Sequence, residues 1–173
     1  MFEELLTGTS VRTLVYWLHE PETRLAVIAP GLLSLAILGF YVRRGGISDR
    51  LQLVWMLALP VSFYCAQWQD GDGMGALYIY SAFSVACVLL LFMRIYVSPA
   101  LAFSLTFLSL WWVDVTHALR RALEFGVPSD QFYLGVGGAG AQDALVLVPL
   151  LTAATVAYAA HRIRSRGERL AEI

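Results

Sequence analysis

Long uninterrupted runs of apolar residues dominate this chain of 173 residues. An α-helix rises about 1.5 Å per residue, so roughly 17 to 25 apolar residues cross the hydrocarbon core of a bilayer, which is about 30 Å thick. The chain is 58% hydrophobic and 14% charged, whereas a soluble domain is about 45 to 50% apolar and about 25% charged. The pattern predicts an all-α integral membrane protein. We expect five transmembrane spans, at approximately residues 25–42, 51–68, 76–93, 100–119 and 144–160.

Short connections between these runs predict a single bundle in which consecutive helices are antiparallel neighbours. Residues 161–173 follow the last run as a basic tail. The first residues include Glu3 and Glu4 and lack a long apolar stretch, so we do not expect a cleaved signal peptide. A patchy apolar stripe at residues 10–19, ending before Pro21, predicts a short helix lying in the membrane interface.

All twelve basic residues are Arg, and their distribution predicts the orientation of the chain. Cytoplasmic loops carry an excess of Arg and Lys. With the C-terminus inside, eight Arg residues are cytoplasmic and four are outside. We therefore predict a multi-pass protein of the cytoplasmic (inner) membrane of a bacterium, with its N-terminus outside and its C-terminus inside. The cytoplasmic set is Arg43, Arg44, Arg50, Arg94, Arg162, Arg164, Arg166 and Arg169.

The composition and motifs exclude several kinds of chemistry. The chain contains no Lys, so neither a Lys Schiff base nor a Walker phosphate loop can form. The Arg residues stand at the ends of apolar runs rather than on one basic face, so we expect no nucleic-acid partner. The glycines at 135, 137 and 140 satisfy GxGxxG, but no strand and Rossmann unit accompany them. We expect no cofactor, and an enzymatic function is not favoured.

The most informative polar residues lie in one segment of the fourth predicted span. A polar side chain within a span is energetically costly and therefore marks a site. Asp114, His117 and Arg121 are spaced i, i+3, i+7, which places them on one face of the helix, with Trp111 one turn away. His117 or Arg121 is within reach of the Asp114 carboxylate. We predict a ligand- or partner-binding cluster here, or a structural clasp in which Arg120 and Arg121 reach lipid headgroups.

Further acidic residues are expected at the same outer level. Asp70 and Asp72 follow the second span, and Asp143 precedes the fifth, where a carboxylate also caps the free amides of a helix. The segment around Asp70 and Asp72 lacks the twelve-residue calcium pattern that ends in Glu. A metal held by Asp114, His117 and a third of these carboxylates is conceivable, and its identity is unknown.

Small residues predict close packing of the helices. Ala58, Ser62 and Ala66 have a small-xxx-small spacing on the second span, and such stripes let backbones approach in lipid. The leading functional hypothesis is association with another membrane protein, or with a second copy, as a complex subunit, an accessory factor or an immunity or exclusion factor.

Two alternatives remain open from the sequence. The first is a small-solute or ion transporter that uses Asp114 and His117, with bends at Pro60 and Pro149 as moving points. The second is a metal-dependent membrane enzyme with a site in the outer leaflet.

Overall fold

The computed structural model describes residues 19, 21–69, 76–78, 81–93, 95, 97–125 and 143–171. Helices make up almost all of this part of the chain, which confirms the helical class, and one short two-stranded ribbon interrupts them. The predicted interfacial helix at residues 10–19 lies outside the described residues, apart from His19.

The first helix, α1, is continuous but not uniform. Pro21–Thr23 is α-helical, Arg24–Ile28 forms a π-helical turn, and Ala29–Arg43 is α-helical again. The helix ends where Gly46 N–H donates to the Tyr41 carbonyl at 2.9 Å and Gly45 N–H donates to the Val42 carbonyl at 3.1 Å. Gly45 has a φ of 61°, a conformation that glycine adopts without steric cost. This pair of bonds is a Schellman motif, which explains why the glycine pair ends the span.

The helices in the second and third predicted spans are shorter than those spans. Helix α2 is Asp49–Cys65 and helix α3 is Ala82–Phe92; between them strand β1, Gln67–Gln69, pairs antiparallel with strand β2, Ala76–Tyr78. The predicted boundaries 51–68 and 76–93 therefore include residues that pair as strands. With 11 residues, α3 is about 16 Å long, roughly half of a bilayer core.

The last two described helices are long. Helix α4 is Pro99–Phe125 and helix α5 is Ala144–Ala171. Within the described residues, three helical segments are long and apolar enough to cross a membrane: Arg24–Arg43, Pro99–Ala118 and Ala144–Ile163. These segments make the protein a membrane protein. The helix that contains Asp114 and His117 is one of them.

Helix α4 is the centre of the bundle. Its membrane-length apolar segment is 61% buried, whereas the corresponding segments of α1 and α5 are each 22% buried. Helix α4 also contacts each of the other four helices. Hydrogen bonds define the helix directions. Trp55 of α2 donates its indole N–H to Ser109 and to the carbonyl of Leu105, both on α4. Near the other end of the same two helices, His117 contacts Phe63, so α2 and α4 run in the same direction.

Two apolar clusters fill the interior. One lies among α2, α3, the start of α4 and α5, and includes Phe83, Cys87, Leu101 and Val156. The other lies at the opposite end among α1, α4 and α5, and includes Val27, Phe107, Leu110, Ala118 and Leu145. Asp114 is on α4 between Leu110 and Ala118, so the predicted site borders the second cluster.

Candidate functional site

Asp114 and His117 are both buried on α4, each with 8% of its surface exposed. Leu110 and Ala118 lie four residues before and after Asp114 and pack toward α1 and α5. Asp114 shares their helical face because residues four apart align along a helix. His117 instead contacts Phe63 of α2. What the structure describes is a contact of His117 with α2; the binding cluster of Asp114, His117 and Arg121 stays a prediction.

The imidazole of His117 is hydrogen-bonded to the end of α2. Its Nε2 lies 2.9 Å from the Phe63 main-chain carbonyl oxygen. A carbonyl oxygen can only accept, so Nε2 carries the hydrogen. Phe63 lies in the last turn of α2, and its carbonyl also accepts from Ala66 N–H at 3.4 Å, so the shorter bond from His117 adds a second donor at this helix end. The two rings also stack with centroids 4.4 Å apart, so His117 has a structural role at this helix end.

The Asp114 carboxylate has no hydrogen-bond donor among the residues that the structure describes. Its described neighbours along α4 are the apolar Leu110 and Ala118. Among the described residues, the Asp143 carboxylate acts on it electrostatically and is also negative. A carboxylate buried in an apolar environment is stable only with a donor or a counter-charge. A positively charged group that reaches Asp114 would stabilise the ionised form of this side chain.

Two neighbours complete the surroundings of Asp114. Trp111 is half-buried and its indole Nε1 is fully enclosed with no acceptor among the described residues. Asp143 is half-buried at the start of α5, where its Oδ1 accepts from Leu145 N–H at 2.9 Å. That bond is the helix cap expected from the sequence. Asp143 therefore combines a structural role with a negative charge near Asp114.

The remaining predicted site residues are only partly placed. Arg120 is exposed on α4. Arg121 belongs to the same helix, but its side chain lies outside the described part of the structure. Asp70 and Asp72 also lie outside the described residues. No group of three His, Cys, Asp or Glu side chains that could hold a metal ion occurs among the residues described.

The small residues of α2 face the interior of the chain itself. Ala58 is 6% exposed and Ser62 is fully buried, while Ala66 is half-buried just beyond the end of α2. The hydroxyl of Ser62 accepts from the backbone N–H of Ala82 at 2.9 Å, which ties α2 to the start of α3. This stripe packs against α3, so a partner protein would need another surface.

Sequence reasoning missed the hydrogen bonds that connect the helices. Besides the Trp55 bonds, the hydroxyls of Ser84 on α3 and Thr152 on α5 are 2.8 Å apart. The hydroxyl groups of Ser34 and Thr106 are buried on α1 and α4 without a partner among the described residues. Polar residues inside an apolar run are the only sequence signal for such bonds, and that signal does not identify the partner.

Comparisons with models of protein families, with curated proteins and with solved structures find no match for this chain.

Proposed function

We propose that the protein is a multi-pass protein of a bacterial cytoplasmic membrane, with five spans, its N-terminus outside and its C-terminus inside. The shared direction of α2 and α4 supports an arrangement in which consecutive helices run in opposite directions. Arg43, Arg44 and Arg50 lie at one end of the bundle, between α1 and α2, and this end would face the cytoplasm by the positive-inside rule. The Asp143 end of α5 would then face outward. Labelling of single-cysteine variants from each side of the membrane tests this orientation.

In this proposal the protein acts by associating with another membrane protein through the outward end of α4. The observation that carries the proposal is the buried Asp114 carboxylate, which lacks a donor among the described residues. A partner that inserts an Arg, Lys or protonated His side chain would supply the missing counter-charge. A charge-assisted hydrogen bond is roughly twice as strong as a neutral one, and an ionisable residue within a span is a functional site by default.

The proposed partner would lie against α1 and α5 rather than against α2. Leu25 of α1 is 59% exposed and Leu147 of α5 is 44% exposed, and both lie near the end of the bundle that contains Asp114. These side chains would contact lipid in the isolated protein and the partner in the complex. The residues Ala58 and Ser62 cannot serve this purpose because they are already buried.

Cross-linking in native membranes tests this proposal. A photo-reactive residue at position 147 should form a specific adduct with a membrane protein, and Asp114→Asn should abolish the adduct. The matched control is position 56 on α2, where Met56 is 63% exposed but lies on another helix. An adduct of twice the mass of the chain would identify a second copy as the partner. An adduct that forms equally at both positions, or that survives Asp114→Asn, would count against the site.

A second candidate function is cation transport. The buried hydroxyls of Ser34 and Thr106 favour it, since both lack a partner among the described residues. Ser34 lies on α1, and Thr106 lies on α4, the helix that carries Asp114. They would form the start of a polar route between α1 and α4. Uptake of a monovalent cation into proteoliposomes that is lost with Asp114→Asn and with Thr106→Val would support this function. Uptake no greater than in empty liposomes would contradict it.

A further inference from the structure

A cavity of about 410 Å³ lies at the end of the bundle opposite Asp114. It is open on one side and is lined by the end of α1, the start of α2, the end of α3 and the start of α4. Its inner wall is apolar: Leu51, Leu90, Val97 and Leu101 line it, and each of these is at most 9% exposed. Its polar lining groups are Tyr41, Ser48, Arg50 and Ser98.

The hydroxyl group of Ser98 has an unused hydrogen at this cavity. Its oxygen accepts from the Tyr41 hydroxyl at 2.7 Å and from Leu101 N–H at 3.1 Å. A serine hydroxyl has two acceptor positions and one donor hydrogen, so both acceptor positions are occupied. The hydrogen of Ser98 has no acceptor among the described residues, and a ligand that accepts a hydrogen bond would satisfy it.

The other polar groups at the cavity are also donors. Ser48 accepts from Leu51 N–H at 3.3 Å, and its hydroxyl hydrogen has no acceptor among the described residues. Arg50 is exposed at the start of α2, and a guanidinium group only donates. Asp49, the residue before Arg50, is exposed and opposes an anion, so Arg50 must outweigh it. An apolar wall with a rim of donors and one fixed positive charge fits an amphipathic anion.

We propose that this cavity binds one anionic phospholipid. Its phosphate would lie at Arg50 and Ser98, and the part of an acyl chain nearest the headgroup would lie against Leu90 and Leu101. A bilayer supplies such a molecule at very high local concentration. Charge complementarity favours an anionic lipid over a zwitterionic one. The Arg residues at positions 43 and 44 at the same end of the bundle would further attract anionic headgroups. This inference is independent of the association proposed for Asp114.

Native mass spectrometry of the full chain, delipidated in detergent and titrated with phosphatidylglycerol or phosphatidylcholine, tests the proposal. We expect retention of phosphatidylglycerol to exceed that of phosphatidylcholine, and Arg50→Gln to reduce phosphatidylglycerol retention about tenfold, as loss of a charged hydrogen bond predicts. The matched control is Arg162→Gln, because Arg162 is exposed on α5 and does not line the cavity. Asp49→Asn should increase retention.

A second variant separates lipid binding from binding of a free anion. Leu90→Phe places a larger side chain in the apolar wall, narrows the cavity and should weaken phosphatidylglycerol binding. The unfolding temperature of the variant is measured in parallel to verify that it folds. Inorganic phosphate at the same concentration should not displace the lipid. The proposal is overturned if both lipids are retained equally, if Arg50→Gln leaves selectivity unchanged, or if inorganic phosphate displaces phosphatidylglycerol completely, since that result identifies a site for a free anion only.

Discussion

The Nε2 of His117 lies 2.9 Å from the carbonyl oxygen of Phe63, and this contact joins the central helix α4 to the end of α2. The Phe63 ring stacks on the imidazole and also lies 5.8 Å from the ring of Trp112. Because Nε2 donates to a backbone carbonyl, it is not available as a metal ligand in this arrangement. The contact therefore gives His117 a role in stability.

Replacement of His117 by Ala should lower the free energy of unfolding by about 1 to 3 kcal/mol, because it removes the shorter hydrogen bond to the Phe63 carbonyl and the contact between the two rings. The carbonyl then keeps only the bond from Ala66 N–H at 3.4 Å. Reversible unfolding in mixed micelles, followed by tryptophan fluorescence, measures the change. His161→Ala is the matched control, since His161 is exposed on α5. Equal effects of the two substitutions would contradict the assigned role.

Asp114→Asn should change the free energy of unfolding of the isolated protein in the opposite direction to His117→Ala. Removal of a buried carboxylate that lacks a donor among the described residues should raise the free energy of unfolding by about 1 kcal/mol or more. Asp49→Asn provides the comparison, because Asp49 is exposed in the first turn of α2. A carboxylate there interacts favourably with the helix dipole, and its loss should destabilise by about 0.3 to 1 kcal/mol. A destabilised Asp114→Asn protein would mean that the carboxylate already has its counter-charge within the chain.

Ala58→Leu should destabilise the bundle by about 1 to 3 kcal/mol, because the larger side chain does not fit a closely packed helix interface. Ala58 is 6% exposed. Ala154→Leu on α5 is the control, because Ala154 is exposed and a leucine there meets only lipid or detergent. Thermal unfolding of both variants measures the difference. Equal unfolding temperatures would contradict the close packing of α2 against α3.

Trp55→Phe should lower the free energy of unfolding by about 0.5 to 1.5 kcal/mol, in the range of single hydrogen bonds between membrane helices. The substitution removes the indole N–H that donates to Ser109 at 2.7 Å and to the Leu105 carbonyl at 3.1 Å. The loss is partial because Ser109 still donates to the Leu105 carbonyl within α4. Trp112→Phe keeps an aromatic ring beside Phe63 and serves as the control. A neutral Trp55→Phe variant would show that these bonds add nothing to the packing of α2 on α4.

The sequence predicted the helices well wherever apolar runs end in strong signals. The glycine pair at 45 and 46 ends α1, and the start of α5 at Ala144 agrees with the prediction. The boundaries of the second and third spans were less accurate, because an apolar segment such as Ala76–Tyr78 suits a strand as well as a helix. The pairing with Gln67–Gln69 decides between the two. A count of apolar residues does not predict this pairing.

The candidate site was predictable as a set of residue types but not as a geometry. Sequence spacing placed Asp114 and His117 on one face of a helix, since residues three apart are neighbours. In the bundle, His117 contacts Phe63 of α2, whereas the described charge that acts on Asp114 is the Asp143 carboxylate at the start of α5. The hydroxyl of Ser98 was also unremarkable in the sequence, because its importance depends on Tyr41, which is 57 residues away.

The most direct test of the account is the cross-linking yield from position 147 in native membranes, compared between the wild-type chain and Asp114→Asn. The account predicts one specific membrane-protein adduct with the wild-type chain, and none with Asp114→Asn even though that variant is folded and at least as stable. An adduct of unchanged yield in Asp114→Asn, or no adduct with either chain, would contradict the claim that the buried carboxylate binds a partner.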